Sequence, residues 1–369
     1  MTTAFAGERV RSARLLFGLT QHDLARAGGV SQSLISYVEK GQKEATDDLL
    51  DSIAHALSTP RSFFDVIPEA IPLDSLRFRK NSTASQRDTR RATTLFSEAY
   101  RVAVRLVAEV GYHTPSLPQP RGEIGEDAIE DLAKETRAAL RVSLDAPIPH
   151  VTRALERAGI TVAPIVLPDL EPIEDAVLPG HFGLSYWAGP GEGALIGFFP
   201  GSKPDRDRFT LAHEVGHIVL HTHRSSADPE GEANRFASAF LLPRDRAVEV
   251  FDRRLVLSDF ARLKAIWGMS IQAIIMRGGH LGFIGPDRKR SLFTQLTARG
   301  WRRDEPVIVH PEEPMLFWRL LSARFGQSPY QRAVDALAIP AVILRSLAPP
   351  PTRRDNQRRD ASVHQILRH

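Results

Sequence analysis

Apolar residues in the first sixty positions recur at helical spacing and are interrupted by glycine-containing turns. The pattern predicts helices at 7–17, 21–27, 32–40 and 46–57. Thr20 and Ser31 each precede a predicted helix and can cap it, and Gly41 ends the third one. A short helix, a glycine turn and a capped second helix together indicate a helix-turn-helix.

Further along the chain the pattern changes to helices mixed with short apolar runs, which indicates an α+β region. Helices are predicted at 127–140 and 148–158, a strand at 160–167, and a hairpin that pairs 183–187 with 194–199. A long apolar helix follows from 205, and helix, turn and helix recur at 257–279. The C-terminal part predicts one strand-like stretch at 307–309 and two amphipathic helices. The expected fold is therefore α+β and mostly helical, with an all-α N-terminal domain.

The helix from 205 contains the spacing of a metal site. His213 and His217 are four residues apart, so they project from one helical face and can share a metal ion. A catalytic metal also needs a third protein ligand and an open position. Glu214 leans toward that open position, where a carboxylate can take a proton from water. For His221, one turn later, we expect packing or support of a ligand rather than metal binding.

A second acidic helix, at 230–243, can supply the third ligand. We favour Glu230 as that ligand and keep Glu232 as the alternative. Asn234 lies one turn after Glu230 and can hydrogen-bond a ligand histidine from outside the coordination shell.

The stretch RFTLAHEVGHIVLH, followed by EGEANRFASAFLLP, resembles the ImmA/IrrE family of zinc metallo-endopeptidases. The resemblance implies a zincin-like domain with a small sheet beside the metal helix. It also implies that His213, His217 and Glu230 bind Zn²⁺ and that Glu214 is the general base. The helical unit at 257–279 matches a segment that this family places after the metal domain, and we expect it to form core rather than to read DNA.

Two further expectations concern substrate binding. In such a fold the strand at 194–199 can pair with an extended substrate, so that main-chain hydrogen bonds give affinity. An oxyanion donor is also expected, and Tyr186 and His181 are the nearest candidates along the sequence.

The N-terminal stretch LTQHDLARAGGVSQSLISYVEKG resembles the Xre/Cro/CI class of DNA-binding domains. By position in that motif, Gln21 touches backbone phosphate, while Gln32, Ser33 and Ser36 lie on the exposed face of the recognition helix. Glutamine can pair with adenine, and serine contacts base edges or phosphate. The expected partner is double-stranded DNA, normally bound by a homodimer. The alternative is a small helical bundle that binds protein.

Basic residues dominate the stretch after this domain, predicted as a linker from 67 to 94. They are Arg77, Arg79, Lys80, Arg87, Arg90 and Arg91. Such a run is usually a solvated face, but beside a helix-turn-helix it can add phosphate contacts.

These observations divide the chain into five predicted segments. They are the helix-turn-helix domain at 1–66, a basic linker and helix at 67–120, the metallopeptidase domain at 121–285, a helical C-terminal region at 286–348 and a disordered tail at 349–369.

Composition narrows the chemistry further. The 369 residues include no cysteine, which excludes disulfides and thiolate metal ligands and fits a cytoplasmic protein. No apolar run is long enough for a membrane span, so no membrane partner is expected. The net charge is only +4, so affinity for DNA must come from local basic patches.

The sequence is compatible with three functions. The first is a DNA-binding regulator whose zinc endopeptidase domain cleaves an Xre-type repressor in a stress or DNA-damage response, a target that the resemblance implies. The second is a regulator with a structural or sensory metal site and no proteolysis. Glu214 favours the first, because a structural zinc site needs no general base. The third, an antitoxin-like component of a toxin–antitoxin pair, rests on the domain combination alone.

Overall fold

The computed structural model of this chain describes residues 5–68, 71, 86–166, 183–200, 203–251 and 255–351. Some of the predictions above concern other residues. Those on Arg77, Arg79, Lys80 and His181, and on the tail from residue 352, lie outside the described residues.

The N-terminal helices form where their capping residues predict them. They are α1 (Ala6–Leu16), α2 (Gln21–Ala27), α3 (Gln32–Glu39) and α4 (Asp47–Ala56), followed by a 3-10 turn at Arg61–Asp65. Thr20 accepts a hydrogen bond from the backbone N–H of Asp23, whose carboxylate accepts one from Thr20 in return. Ser31 caps α3 through the N–H of Leu34. Each cap satisfies a donor that the first helical turn leaves open, which fixes where the helix begins.

A long helix, α5 (Gln86–Val110), follows the helix-turn-helix. The predicted C-terminal boundary of the linker, residue 94, is wrong, because α5 already begins at Gln86. Arg91 is buried and its guanidinium donates a hydrogen bond to the carbonyl of Leu15 in α1. The last part of the basic run is therefore helical and packs against the N-terminal domain.

The mixed part of the chain has two helices and a three-stranded sheet. Its elements are α6 (Glu126–Ala139), α7 (Val151–Arg157), β1 (Ile160–Pro164), β2 (Gly183–Trp187) and β3 (Ala194–Phe198). The strand order is β1-β3-β2, with β1 parallel and β2 antiparallel to β3. The predicted hairpin is confirmed. Because β3 is hydrogen-bonded on both sides, the expectation that it pairs with a substrate strand is wrong.

Nine further helices are described in the rest of the chain. They are α8 (Pro204–His221), α9 (Pro229–Leu241), α10 (Arg244–Phe251), α11 (Leu257–Trp267), α12 (Ile271–His280), α13 (Pro286–Ala298), α14 (Leu316–Phe325), α15 (Pro329–Leu337) and α16 (Ala341–Leu347). The stretch 307–309 is not a strand. Its neighbours Pro306 and Pro311 have no N–H to donate, and Ile308 is 86% exposed. Three helices, not two, follow it.

Two hydrophobic cores lie on opposite faces of the sheet. One joins α1–α5 and α14–α16 to side chains such as Leu184 and Leu195. The other joins α6–α13 to Val162 and Ile196. The chain is thus α+β and mostly helical, as predicted. In its described part, every helix is too short or too polar to span a bilayer.

Candidate metal centre

Helix α8 presents two buried histidines on one face. The Nε2 atoms of His213 and His217 lie 3.0 Å apart, as the four-residue spacing predicts. Helix α9 packs against α8 and brings Glu230, in its first turn, to the same point. The Glu230 carboxylate oxygens lie 3.4 Å from Nε2 of His213 and 3.3 Å from Nε2 of His217. Of the two glutamates considered as the third ligand, Glu230 is the one whose carboxylate lies beside both imidazoles.

The other ring nitrogens of the two histidines have hydrogen-bond partners. Nδ1 of His213 lies 3.2 Å from Oδ1 of Asn234, and Nδ1 of His217 lies 3.0 Å from Nδ1 of His221. Nε2 of His221 in turn lies 2.9 Å from a carboxylate oxygen of Glu232. Glu232 thus lies behind the histidines instead of among the ligand atoms.

These contacts determine which nitrogens carry protons. A carboxylate only accepts, so a neutral His221 donates from Nε2 to Glu232 and accepts at Nδ1 from His217. The Asn234 oxygen likewise accepts from Nδ1 of His213. Both Nε2 atoms are left with lone pairs, which is the tautomer that binds a metal ion.

The residues present fit a divalent cation. Two nitrogen lone pairs and a carboxylate meet with their ligand atoms within 4.8 Å of one another. Oε2 of Glu230 is buried and makes no hydrogen bond in the described structure. Electron-rich atoms in this arrangement repel one another unless a cation lies between them, and two imidazoles with one carboxylate suit zinc.

Glu214 lies beside this cluster in a buried site. Its carboxylate is 1% exposed and accepts a 2.6 Å hydrogen bond from Oγ of Ser185 in β2. Burial raises the pKa of Glu214, although the nearby histidines oppose that shift. The backbone of Gly183 passes close by, because a Cβ at that position would lie 2.4 Å from Oε1 of Glu214. Glu214 is therefore held next to the cluster without being one of its three candidate ligands.

Sequence reasoning missed Ser185 and chose the wrong neighbour, Tyr186. Successive side chains of a strand point to opposite faces. Ser185 faces α8 and Glu214, while the ring of Tyr186 packs edge-on against Tyr100 of α5 at 4.9 Å on the other face. The expectation that Tyr186 donates to an oxyanion beside Glu214 is thus wrong. The sequence offers only a lone serine between Leu184 and Tyr186 in a predicted strand as a signal.

The predicted DNA-contacting residues lie together on α2 and α3. Gln32 donates a 2.9 Å hydrogen bond to Gln21, and both Gln32 and Ser33 are exposed, while Ser36 is half-buried. Tyr37 was missed; it is 52% exposed and lies one turn after Ser33 on α3. Its ring lies open to solvent on the same face of α3 as Ser33.

Two family models agree with this arrangement. A family model described as helix-turn-helix matches residues 10–64, and one described as IrrE N-terminal-like domain, of the M78 peptidases, matches residues 191–277. No curated protein matched the chain. Among solved structures, Bacillus thuringiensis PlcR in complex with the peptide PapR7 and DNA aligns over 100% of both chains at 10% identity, with a TM-score of 0.17. The chain thus joins a helix-turn-helix domain to an IrrE N-terminal-like domain of the M78 peptidases, which is the fusion that the two motifs predicted.

Proposed function

We propose that this protein is a DNA-binding transcriptional regulator whose metallopeptidase domain is a zinc-dependent endopeptidase. The observation that supports catalysis most directly is the placement of Glu214. Its carboxylate lies beside the cluster of His213, His217 and Glu230, anchored by Ser185. A structural zinc site normally has four protein ligands. Within the described residues the cluster has three, which leaves a coordination position for substrate or water.

In peptide hydrolysis Glu214, Ser185 and the candidate ligands would each have a separate role. Zinc held by His213, His217 and Glu230 would supply a Lewis acid that polarises a carbonyl group and makes water more acidic. Glu214 accepts the proton of the attacking water and returns it to the leaving amide nitrogen. Ser185 keeps the Glu214 carboxylate oriented, and burial raises the pKa of Glu214, which makes its carboxylate a stronger base toward the attacking water.

The proposed substrate is an Xre-type repressor, cleaved in the cytoplasm during a stress response. The family resemblance supports this choice, and the helix-turn-helix domain supports action at an operator. Gln32, Ser33 and Ser36, with Gln21 beside them, are the proposed DNA contacts. A regulator that only senses metal through the same three ligands is the competing function.

The decisive variant is Glu214→Gln. Because Glu214 is not a proposed ligand, the variant should retain about one zinc per chain and its DNA binding. Loss of the proton acceptor should slow cleavage of a co-expressed Xre-type repressor by about 10²–10⁴-fold, measured by blot and mass spectrometry. A His213→Ala variant serves as the control that loses the metal as well. Cleavage at the wild-type rate by Glu214→Gln would exclude Glu214 as the base, and a repressor uncut by the wild-type protein would favour the sensing function.

A further inference from the structure

A concavity of about 730 Å³ lies between the helix-turn-helix and the first turns of α5. Four arginines line it, two from α1 and two from α5. They are Arg11, Arg14, Arg87 and Arg90. No carboxylate lines this concavity in the described part of the chain. Its surface is therefore strongly basic although the net charge of the whole chain is only +4.

The four arginines differ in how far their charge is already neutralised. Arg14 forms a bidentate ion pair with Glu39, at 2.5 and 2.9 Å, so its charge is compensated. Arg87 donates to the carbonyl of Gly18 and so attaches the start of α5 to the end of α1. Arg11 and Arg90 are exposed, and among the described residues neither makes an ion pair. At least two cationic side chains are thus available to an anionic partner.

The position of the concavity indicates which anion it binds. Gln21 and Gln32, the proposed contacts to phosphate and base, line the same surface. A duplex placed against α3 therefore brings its sugar-phosphate backbone alongside the arginines of α1 and α5. Arginine is the side chain best suited to phosphate, because its planar guanidinium can form two parallel hydrogen bonds.

We propose that Arg11, Arg87 and Arg90 form a phosphate-binding surface that extends the DNA contact beyond the helix-turn-helix and onto α5. The proposal rests on the proposed DNA-binding function. It assigns to α5, a helix outside residues 10–64, a direct role in holding the duplex. These contacts strengthen binding to any sequence and place the recognition helix, but they do not select the bases.

The test is the salt dependence of binding by the full-length protein. Two fluorescein-labelled duplexes of unrelated mixed sequence are titrated by anisotropy between about 50 and about 200 mM salt. Removal of one arginine–phosphate pair should reduce the slope of log K against log salt by about 0.9. Arg11→Gln and Arg90→Gln should each show this reduction, and the double variant a reduction of about 1.8, equally on both duplexes. Arg87 is left unchanged because its hydrogen bond to Gly18 also supports the fold.

Two further variants distinguish a local contact from a general effect of charge. Arg105→Gln removes the same charge from the exposed face of α5 outside the concavity and should keep the wild-type slope. Arg90→Lys keeps the charge and should also keep the slope. A wild-type slope in the double variant, or an equal reduction in Arg105→Gln, would overturn the proposal. Absence of any binding by the wild-type protein at low salt would overturn the DNA-binding function itself and this surface with it.

Discussion

At the scale of single residues, the candidate metal centre includes side chains that are not among its three candidate ligands. His221 links His217 to Glu232, and Arg224 in turn donates to Glu232. This chain of contacts fixes the tautomer of His217 and keeps its Nε2 directed at the cluster. Partners of this kind make the ligand imidazole more basic and limit its rotation.

We therefore expect His221→Ala to weaken zinc binding about 10–100-fold without abolishing it, because the three ligands remain. Competition against a chromophoric chelator measures the affinity. His223→Ala, two residues further on and exposed, is the matched control and should bind zinc like the wild-type protein. Equal affinity in His221→Ala and the wild type would show that the link to Glu232 does not tune the site.

Glycine at position 183 is required by the space that Glu214 occupies. An added Cβ would lie 2.4 Å from Oε1 and 2.7 Å from Cγ of Glu214, so the carboxylate has to move. Gly183→Ala should lower peptidase activity by at least about tenfold, since a displaced base accepts the proton poorly, while the zinc content stays unchanged. Gly285→Ala, where nothing lies within 4 Å of the new Cβ, should have wild-type activity. A loss of zinc in Gly183→Ala would mean that the substitution disturbs the ligands instead.

Some residues of this site can be predicted from the sequence and others cannot, and the reason is physical. His213, Glu214 and His217 lie within a few residues of one another on a single helix. Their closeness in space can therefore be predicted from the local sequence pattern. Ser185 in β2 and Glu214 in α8 are 29 residues apart in the sequence. In addition, four of the five residues of β2 are buried. In a strand covered on both sides, alternation no longer shows which face meets the helix.

At the scale of elements, a single loop carboxylate joins α7 to the metal helix α8. Glu312 accepts hydrogen bonds from the backbone N–H groups of Val151 and Thr152, at 3.1 and 2.7 Å, and pairs with Arg208 of α8. Burial opposes the ionisation of Glu312, but a hydrogen bond from His150 and the charge of Arg208 outweigh it and lower the pKa to about 2. The ionised carboxylate therefore stabilises the start of α7 and the position of α8 together.

We expect Glu312→Gln to lower the free energy of unfolding at pH 7 by roughly 3 kcal/mol, because it leaves the buried Arg208 without its partner. A carboxylate with a lowered pKa contributes stability above its usual pKa near 4.5 and loses that contribution as the pH falls toward 2. The difference between wild type and variant in urea unfolding should accordingly shrink through this range. Glu123→Gln, at an exposed glutamate away from this contact, is the control and should change little. A constant difference between pH 7 and pH 3 would contradict this account.

Element bounds could be predicted well where local chemistry determines them. Ser31 and Ser270 begin helices through their own hydroxyl groups, and Thr20 does so with Asp23. The central position of β3 could not be predicted, because strand order depends on pairings between distant segments. The apolar pattern at 307–309 was misleading, since a strand also needs a neighbour to pair with, and the structure places none there.

At the scale of the whole molecule, α5 connects the helix-turn-helix, the sheet and the C-terminal helices. Glu98 of α5 pairs with Arg9 of α1 and with Arg101 of α5, and all three side chains are buried. Arg101 also donates to the carbonyls of Leu337 and Ala338 at the end of α15. These contacts span more than 230 positions of the chain, which is why sequence patterns did not show that α14–α16 pack beside the N-terminal domain.

Because one buried carboxylate serves two buried arginines, we expect Glu98→Gln to destabilise the protein by roughly 3–5 kcal/mol. The effect should reach both ends of the chain, since α1 and α15 are held through the same group. Hydrogen exchange read by mass spectrometry should show protection falling together in α1 and α15, and less in α8 and α9, which belong to the other core.

Glu109→Gln separates this effect from a general reduction of charge on α5. Glu109 lies on the same helix and pairs with Arg105 and Arg324, but those side chains are partly exposed, so water can solvate the two arginines once the carboxylate is removed. Exposed pairs of this kind contribute at most about 1 kcal/mol. If Glu98→Gln released α1 while α15 kept its protection, the two ends would be stabilised independently, and α5 would not join them. Falling protection at both ends would instead show that α1 and α15 both depend on the one buried ion cluster of Arg9, Glu98 and Arg101.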